Sequence, residues 1–165
     1  MPSIVVIGYG NPLRGDDAIG WRAAEALRDV YEDDTAVEVF ASHQLNPEMA
    51  ESVAEAGMVI FIDAVADKLD AGTIACESVH PADHSSAFSH QLDPPTLLAS
   101  AIDLYGSCPR AAVIGVGIQS CDLGHDLSRE VKAALPRVVA EVKQMIELHR
   151  SGKQFVVEHQ RVGSA

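Results

Sequence analysis

Short apolar runs alternate along the chain with segments whose apolar residues recur every three or four positions. The runs occupy residues 4–7, 37–40, 58–62, 73–79 and 111–118. The first, third and fifth are almost unbroken, a pattern that predicts strands covered on both faces. Between them Ile19, Ala23, Leu27 and Val30 form one stripe at helical spacing. Asn46-Pro47-Glu48 reads as an N-cap with proline at the first helical position, and Ala50, Val53 and Ala54 line the helix it starts until Gly57. Asp93-Pro94 repeats that start signal, followed by Leu98, Ala101, Ile102 and Tyr105 and then the stop at Gly106. A last helix is predicted over 128–149, with Leu135, Val138, Val142, Met145 and His149 on one face and a kink at Pro136.

This order predicts a single-domain α/β protein over residues 1–150. Its sheet is expected to be mostly parallel and twisted, of about five strands, with helices on both faces. The run 73–79 follows Asp63 too closely for a crossover helix, so it is expected to be antiparallel, at an edge. The helical pattern fades after Gly152. Residues 151–165 are therefore expected to be a flexible tail, in which 155–157 pack or fray and 158–165 are disordered.

Composition narrows the partners. The net charge is −12, and the few bases near the end make the body of the chain more acidic still. Nucleic acids and anionic membranes both require basic patches, so neither is expected as a partner. Cys76, Cys108 and Cys121 form no close pair and read as reduced thiols. No apolar run approaches the roughly 18 residues of a membrane span, and the start of the chain lacks a signal-peptide pattern. The expected location is the cytoplasm.

The candidate chemistry begins in residues 8–20, GYGNPLRGDDAIG. Gly8 and Gly10 let the backbone approach something closely. A phosphate site is disfavoured, because Asp16 and Asp17 would occupy the helix N-terminus where phosphate binds. The G-x-G-x-x-G spacing also fails at Leu13, and no acidic ribose contact follows the second strand. Carboxylates in that place suit a cation. Side chains of helical neighbours point about 100° apart, so Asp16 is assigned to capping and Asp17 to ligation. Asp63 follows five apolar residues and emerges at the carboxyl edge of its strand, where open parallel sheets bind ligands. His90 precedes a helix after a long polar loop and can reach the same edge. Two carboxylates and one imidazole form a first shell for a divalent transition metal. His43-Gln44-Leu45-Asn46-Pro47 echoes His90-Gln91-Leu92-Asp93-Pro94, either as two efficient helix starts or as two placed imidazoles.

These pieces, in this order, resemble the hydrogenase maturation endopeptidases. The resemblance covers about residues 3–149 and rests on GYGN with Leu13, on DDAIG from Asp16, on Phe61-Ile62-Asp63-Ala64, on His90-Gln91-Leu92 and on Ile114-Gly115-Val116-Gly117-Ile118. It implies an enzyme that removes a C-terminal extension from the large-subunit precursor of a nickel–iron hydrogenase. It further implies that Asp17, Asp63 and His90 contact nickel carried by that precursor. One departure stands out. Many members carry an aspartate and paired glycines after the second strand, where this chain has Ala41-Ser42-His43. By position alone, His43 is the candidate for the missing role.

No G-x-S-x-G or H-E-x-x-H motif is present. The expected nucleophile is therefore water, activated by metal or, in the aspartyl-protease manner, by carboxylate. The competing reading is a non-enzymatic, chaperone-like protein that checks nickel insertion with the same three residues.

Overall fold

The computed structural model describes residues 3–83, 92–153 and 160–162. In chain order its elements are β1 (Ile4–Tyr9), α1 (Ile19–Val30), β2 (Val37–Ser42), α2 (Met49–Glu55), β3 (Met58–Val65), β4 (Ile74–Val79), α3 (Pro94–Tyr105), β5 (Arg110–Gly117), α4 (Arg129–Arg150) and β6 (Gln160–Val162). A short 3-10 helix, Gly15–Ala18, leads into α1. The strands lie in the order β2-β1-β3-β5-β4-β6. β2, β1, β3 and β5 run parallel, and β4 runs antiparallel to β5.

Alternation along the strands sorts the core into two layers. Ile4, Val6, Ile60, Ile62, Ile114 and Val116 face α1 and α4, where Ile19, Ala23, Leu27, Val138, Val142 and Met145 meet them. Val5, Ile7, Val59 and Phe61 face the other way, against Val53 of α2 and Leu97, Leu98 and Ala101 of α3. All are buried on both faces, which is why β1 and β3 read as continuous apolar runs. Each large side chain so buried contributes roughly 1.5–3 kcal/mol.

Local signals were obeyed unevenly. Asp93 caps α3, its Oδ1 accepting from the Thr96 N–H at 2.9 Å, and prolines occupy the first turn. Gly106 ends the helix in the left-handed conformation, φ 84°. Asn46 does not cap α2. Its side chain donates to Ser42 Oγ, its carbonyl accepts from Met49 N–H, and the helix starts two residues later than predicted. Val30 is half exposed and falls outside the α1 stripe. Pro136 lies inside α4, which continues through it to Arg150.

The sheet has six strands rather than about five. Residues 160–162, within the stretch expected to be disordered, pair antiparallel with 74–76 of β4. Gln160-Arg161-Val162 shows no apolar alternation, so nothing in its sequence announces a strand. It is recruited by backbone groups that β4 would otherwise leave unpaired at the sheet edge. The expected packing of residues 155–157 lies outside the described residues.

Candidate functional site

In the order β2-β1-β3-β5 the chain winds outward in opposite directions from β1 and β3. The crevice beyond their carboxyl ends is where open α/β sheets receive ligands. Gly8 is paired with Ile62, so Tyr9 at the end of β1 stands abreast of Asp63 on β3. Both side chains follow the parity of Ile7 and Phe61 and lie on the α2/α3 face. Tyr9 Oη donates a hydrogen bond to Asp63 Oδ2 at 2.8 Å. Burial pushes the Asp63 carboxyl up to about 6; the charge of Asp17 adds to this, while hydrogen bonds from Tyr9 and the Ala64 N–H oppose it. Burial, then the Asp63 charge, raises the Tyr9 phenol far above its usual value, so Tyr9 is a neutral donor.

Asp17 reaches the same edge from the loop after β1. Its Oδ2 accepts the Asn11 N–H at 2.7 Å. The glycines that precede it approach the protein's own helix. A Cβ at Gly10, φ 151°, would sit 1.9 Å from the Asp17 carbonyl oxygen, and one at Gly8 would sit 2.0 Å from that of Gly20. A Cβ at Gly20 would in turn meet the carbonyls of Ile62 and Tyr9 at 2.5 Å. The helix start therefore rests directly on the ends of β1 and β3, and this seating brings Asp17 close enough for its charge to act on Asp63.

Asp16 is not a cap for its own helix. It is fully buried and accepts four hydrogen bonds from the loop after β5. The donors are Gln119 N–H at 2.9 Å, Ser120 N–H at 3.2 Å, Ser128 N–H at 2.6 Å and Ser128 Oγ at 2.8 Å. Burial alone would raise this carboxyl, but the donors from Ser128, Gln119 and Ser120 outweigh it and hold the group below the usual carboxylate range. Asp16 thus ties residues 119–128 to the loop carrying Asp17. Cys121 comes with that loop; burial raises its thiol, and the charges of Asp17 and Asp16 raise it further.

Two depressions flank the pair. Asp17 lines an open groove of 790 Å³ with Asn11, Arg14, Trp21 and His43. Asp63 lines a second, of 500 Å³, between β4, β5 and the start of α3. His43 lines the same groove as Asp17. His90 lies outside the described residues. Among the described residues, no group of three or more His, Cys, Asp or Glu is gathered closely enough to hold a metal ion. What they offer a hard or borderline cation is two carboxylates within electrostatic reach of each other. Tyr9 was missed in sequence, although its place two residues past the β1 run, near that of Asp63 one past the β3 run, is the signal that could have found it.

The fold matches that of known proteins. The NiFe hydrogenase maturation protease HycI from Thermococcus kodakarensis KOD1 superposes with a TM-score of 0.71 at 22% identity, over 87% of this chain and 92% of that one. The hydrogenase maturating endopeptidase HybD from E. coli gives 0.69 at 26% identity, over 92% and 94%. A second endopeptidase from E. coli gives 0.66 at 24% identity, over 93% and 96%. No curated protein matches the chain. The family model described as hydrogenase maturation protease matches residues 21–145, a span that includes Asp63 but begins just beyond Asp17. With well over half of its length matched, and with the same fold across nearly all of it, the chain belongs to the hydrogenase maturation protease family.

Proposed function

We propose that this endopeptidase removes a C-terminal extension from the large-subunit precursor of a nickel–iron hydrogenase, and that Asp17, Asp63 and His90 engage nickel already seated in that precursor. The observation that carries the proposal is the Tyr9–Asp63 pair at the switch point, with Asp17 near enough to raise Asp63. A partly buried carboxylate that feels the charge of a second one is unfavourable unless a cation or a proton arrives to relieve it. Two carboxylates suit nickel as part of a mixed oxygen and nitrogen set, and an open shell leaves room for a metal that the substrate itself supplies. The ion, when present, is a Lewis acid for the scissile carbonyl and for water. Asp63 holds its oxygens towards the crevice, Tyr9 fixes the orientation of that carboxylate, and a carboxyl poised near neutrality can accept a proton from water. The cytoplasm is the proposed place of work, as expected from the sequence; among the described residues no helix is long and apolar enough to cross a membrane.

Incubating the purified protein with nickel-loaded and nickel-free precursor tests this reading. A mass decrease in the loaded form alone is expected. His90→Ala should lose both cleavage and nickel-dependent precursor binding, whereas His43→Ala should retain binding. Cleavage by His90→Ala at the wild-type rate would remove it from the site. Precursor that is bound in a nickel-dependent way but never shortened would favour the non-enzymatic reading.

A further inference from the structure

Asp63 does not stand alone on its face of the sheet. It is paired with Gly115 on β5, and Gly115 is paired with Ala75 on β4. The three residues form one row across three strands, and strand parity puts that row on the α2/α3 face. A carboxylate is thus followed by two positions that carry almost no side chain. The result is a trough that starts at Asp63 and runs away from β1. Val65 and Leu69 bound it on one side, Pro94 and Pro95 on another, and Val113 lies in its floor. Two interstrand spacings make it about 10 Å long, the length of roughly three residues of extended chain.

We propose that this trough seats an extended, apolar stretch of the precursor on one flank of the bond to be cut. The inference rests on the proteolytic reading above and adds where, and by what chemistry, the chain is held. Val65, Leu69, Val79, Val113, Pro94 and Pro95 give the trough apolar walls inside a charged rim, so side chains packed against them leave water, and the binding energy is available to orient the scissile bond. The rim excludes the main alternative. Asp63, Glu77 and Asp93 outnumber Lys68 and His80 there, so a phosphate or other small anion is repelled. Continuity with Asp63 chooses the occupant, since whatever fills the trough ends against the proposed reacting group. Gly115 keeps the trough deep: a Cβ there would lie 2.8 Å from Val65 Cγ2, pressing that side chain out of place.

Ala75 is the position to test, because a larger side chain there grows into the trough from its far end. The probes are nickel-loaded precursor and a fluorescein-labelled peptide spanning the cut. Ala75→Leu should weaken peptide binding and raise KM by roughly ten-fold or more, with kcat within about two-fold. Ala75→Val should do the same to a lesser degree and guards against misfolding of the leucine variant. Nickel titration of both variants should match wild type, which a general disturbance of the site would not allow. Asp63→Asn, by contrast, should lose cleavage and keep the peptide. Unchanged peptide affinity and KM in folded Ala75→Leu and Ala75→Val would overturn the proposal. If wild type leaves the precursor intact while Ala75→Leu still loses the peptide, the trough stands and the proteolytic reading falls.

Discussion

Asp16 and Asp17 are adjacent, identical and acidic, yet the fold gives them opposite work. Asp16 spends its oxygens on four donors from residues 119–128; Asp17 spends one on Asn11 and turns the rest of the carboxylate to the groove. Asp16→Asn is therefore expected to be the more damaging to stability, by about 2–4 kcal/mol, because an amide turns a donor towards buried N–H groups. The sign with pH follows from its depressed pKa. The stability it contributes is complete above the unfolded value of 3.8 and is lost as pH falls through the lower folded value. Urea melts of wild type and variant should differ at pH 7 and converge only well below pH 3.8. Asp63 behaves in the reverse sense. Its folded pKa of about 6 exceeds the ordinary 3.8, so its contribution is complete below 3.8 and is lost as pH rises through 6. Asp63→Asn should abolish processing and yet stabilise the metal-free protein by on the order of 1–2 kcal/mol at pH 7.5, and by little at pH 4. A denaturation series that finds the variant weaker at pH 7.5 would contradict the burial argument. None of this could be read from Asp16-Asp17 as letters, since the donors come from a loop more than a hundred residues away.

At the scale of elements, the decisive contact is that of the 3-10 helix and α1 with the ends of β1 and β3. Gly20→Ala makes this measurable. Alanine is the better helix former by about 1 kcal/mol, so propensity alone predicts stabilisation. Its Cβ, however, would lie 2.5 Å from two backbone carbonyl oxygens, neither of which can give way. The clash should win, with a loss of about 3 kcal/mol or more and a parallel loss of cleavage as Asp17 is lifted away from Asp63. Thermal melts beside precursor cleavage would check it; a variant more stable than wild type would show that α1 does not bear on the strands this closely. The glycines at 8, 10 and 20 were visible in sequence as a close approach. What they approach was not, because an absent side chain records the space and not its occupant.

For the whole molecule, the same distinction separates a sheet that periodicity announces from an edge that it does not. Ending the chain at Lys153 removes β6 and leaves β4 as an open edge. The body should remain folded, with a melting temperature changed by a few degrees, while self-association increases through the exposed β4 backbone. Size-exclusion chromatography of the two forms at rising concentration would show it, and a truncated protein that stays monomeric would mean that three residues of pairing protect nothing. The sequence by itself determined the alternation of strands and helices, the helices on both faces, the antiparallel run of residues 74–79 and the place of Asp63 near the carboxyl end of its strand, although β3 runs past it to Val65. Each is a local consequence of side-chain period or of the reach of a short connection. It also carried the family resemblance, through the loop, the Asp63 strand and their spacing. Only the tertiary structure decided that Tyr9 holds Asp63, that Asp16 is a buried hub, that the groove of Asp17 includes His43, and that Gly115 and Ala75 open a trough beside Asp63. Those facts depend on which strands become neighbours and in what register, and pairing between residues dozens of positions apart leaves no periodic trace in either partner.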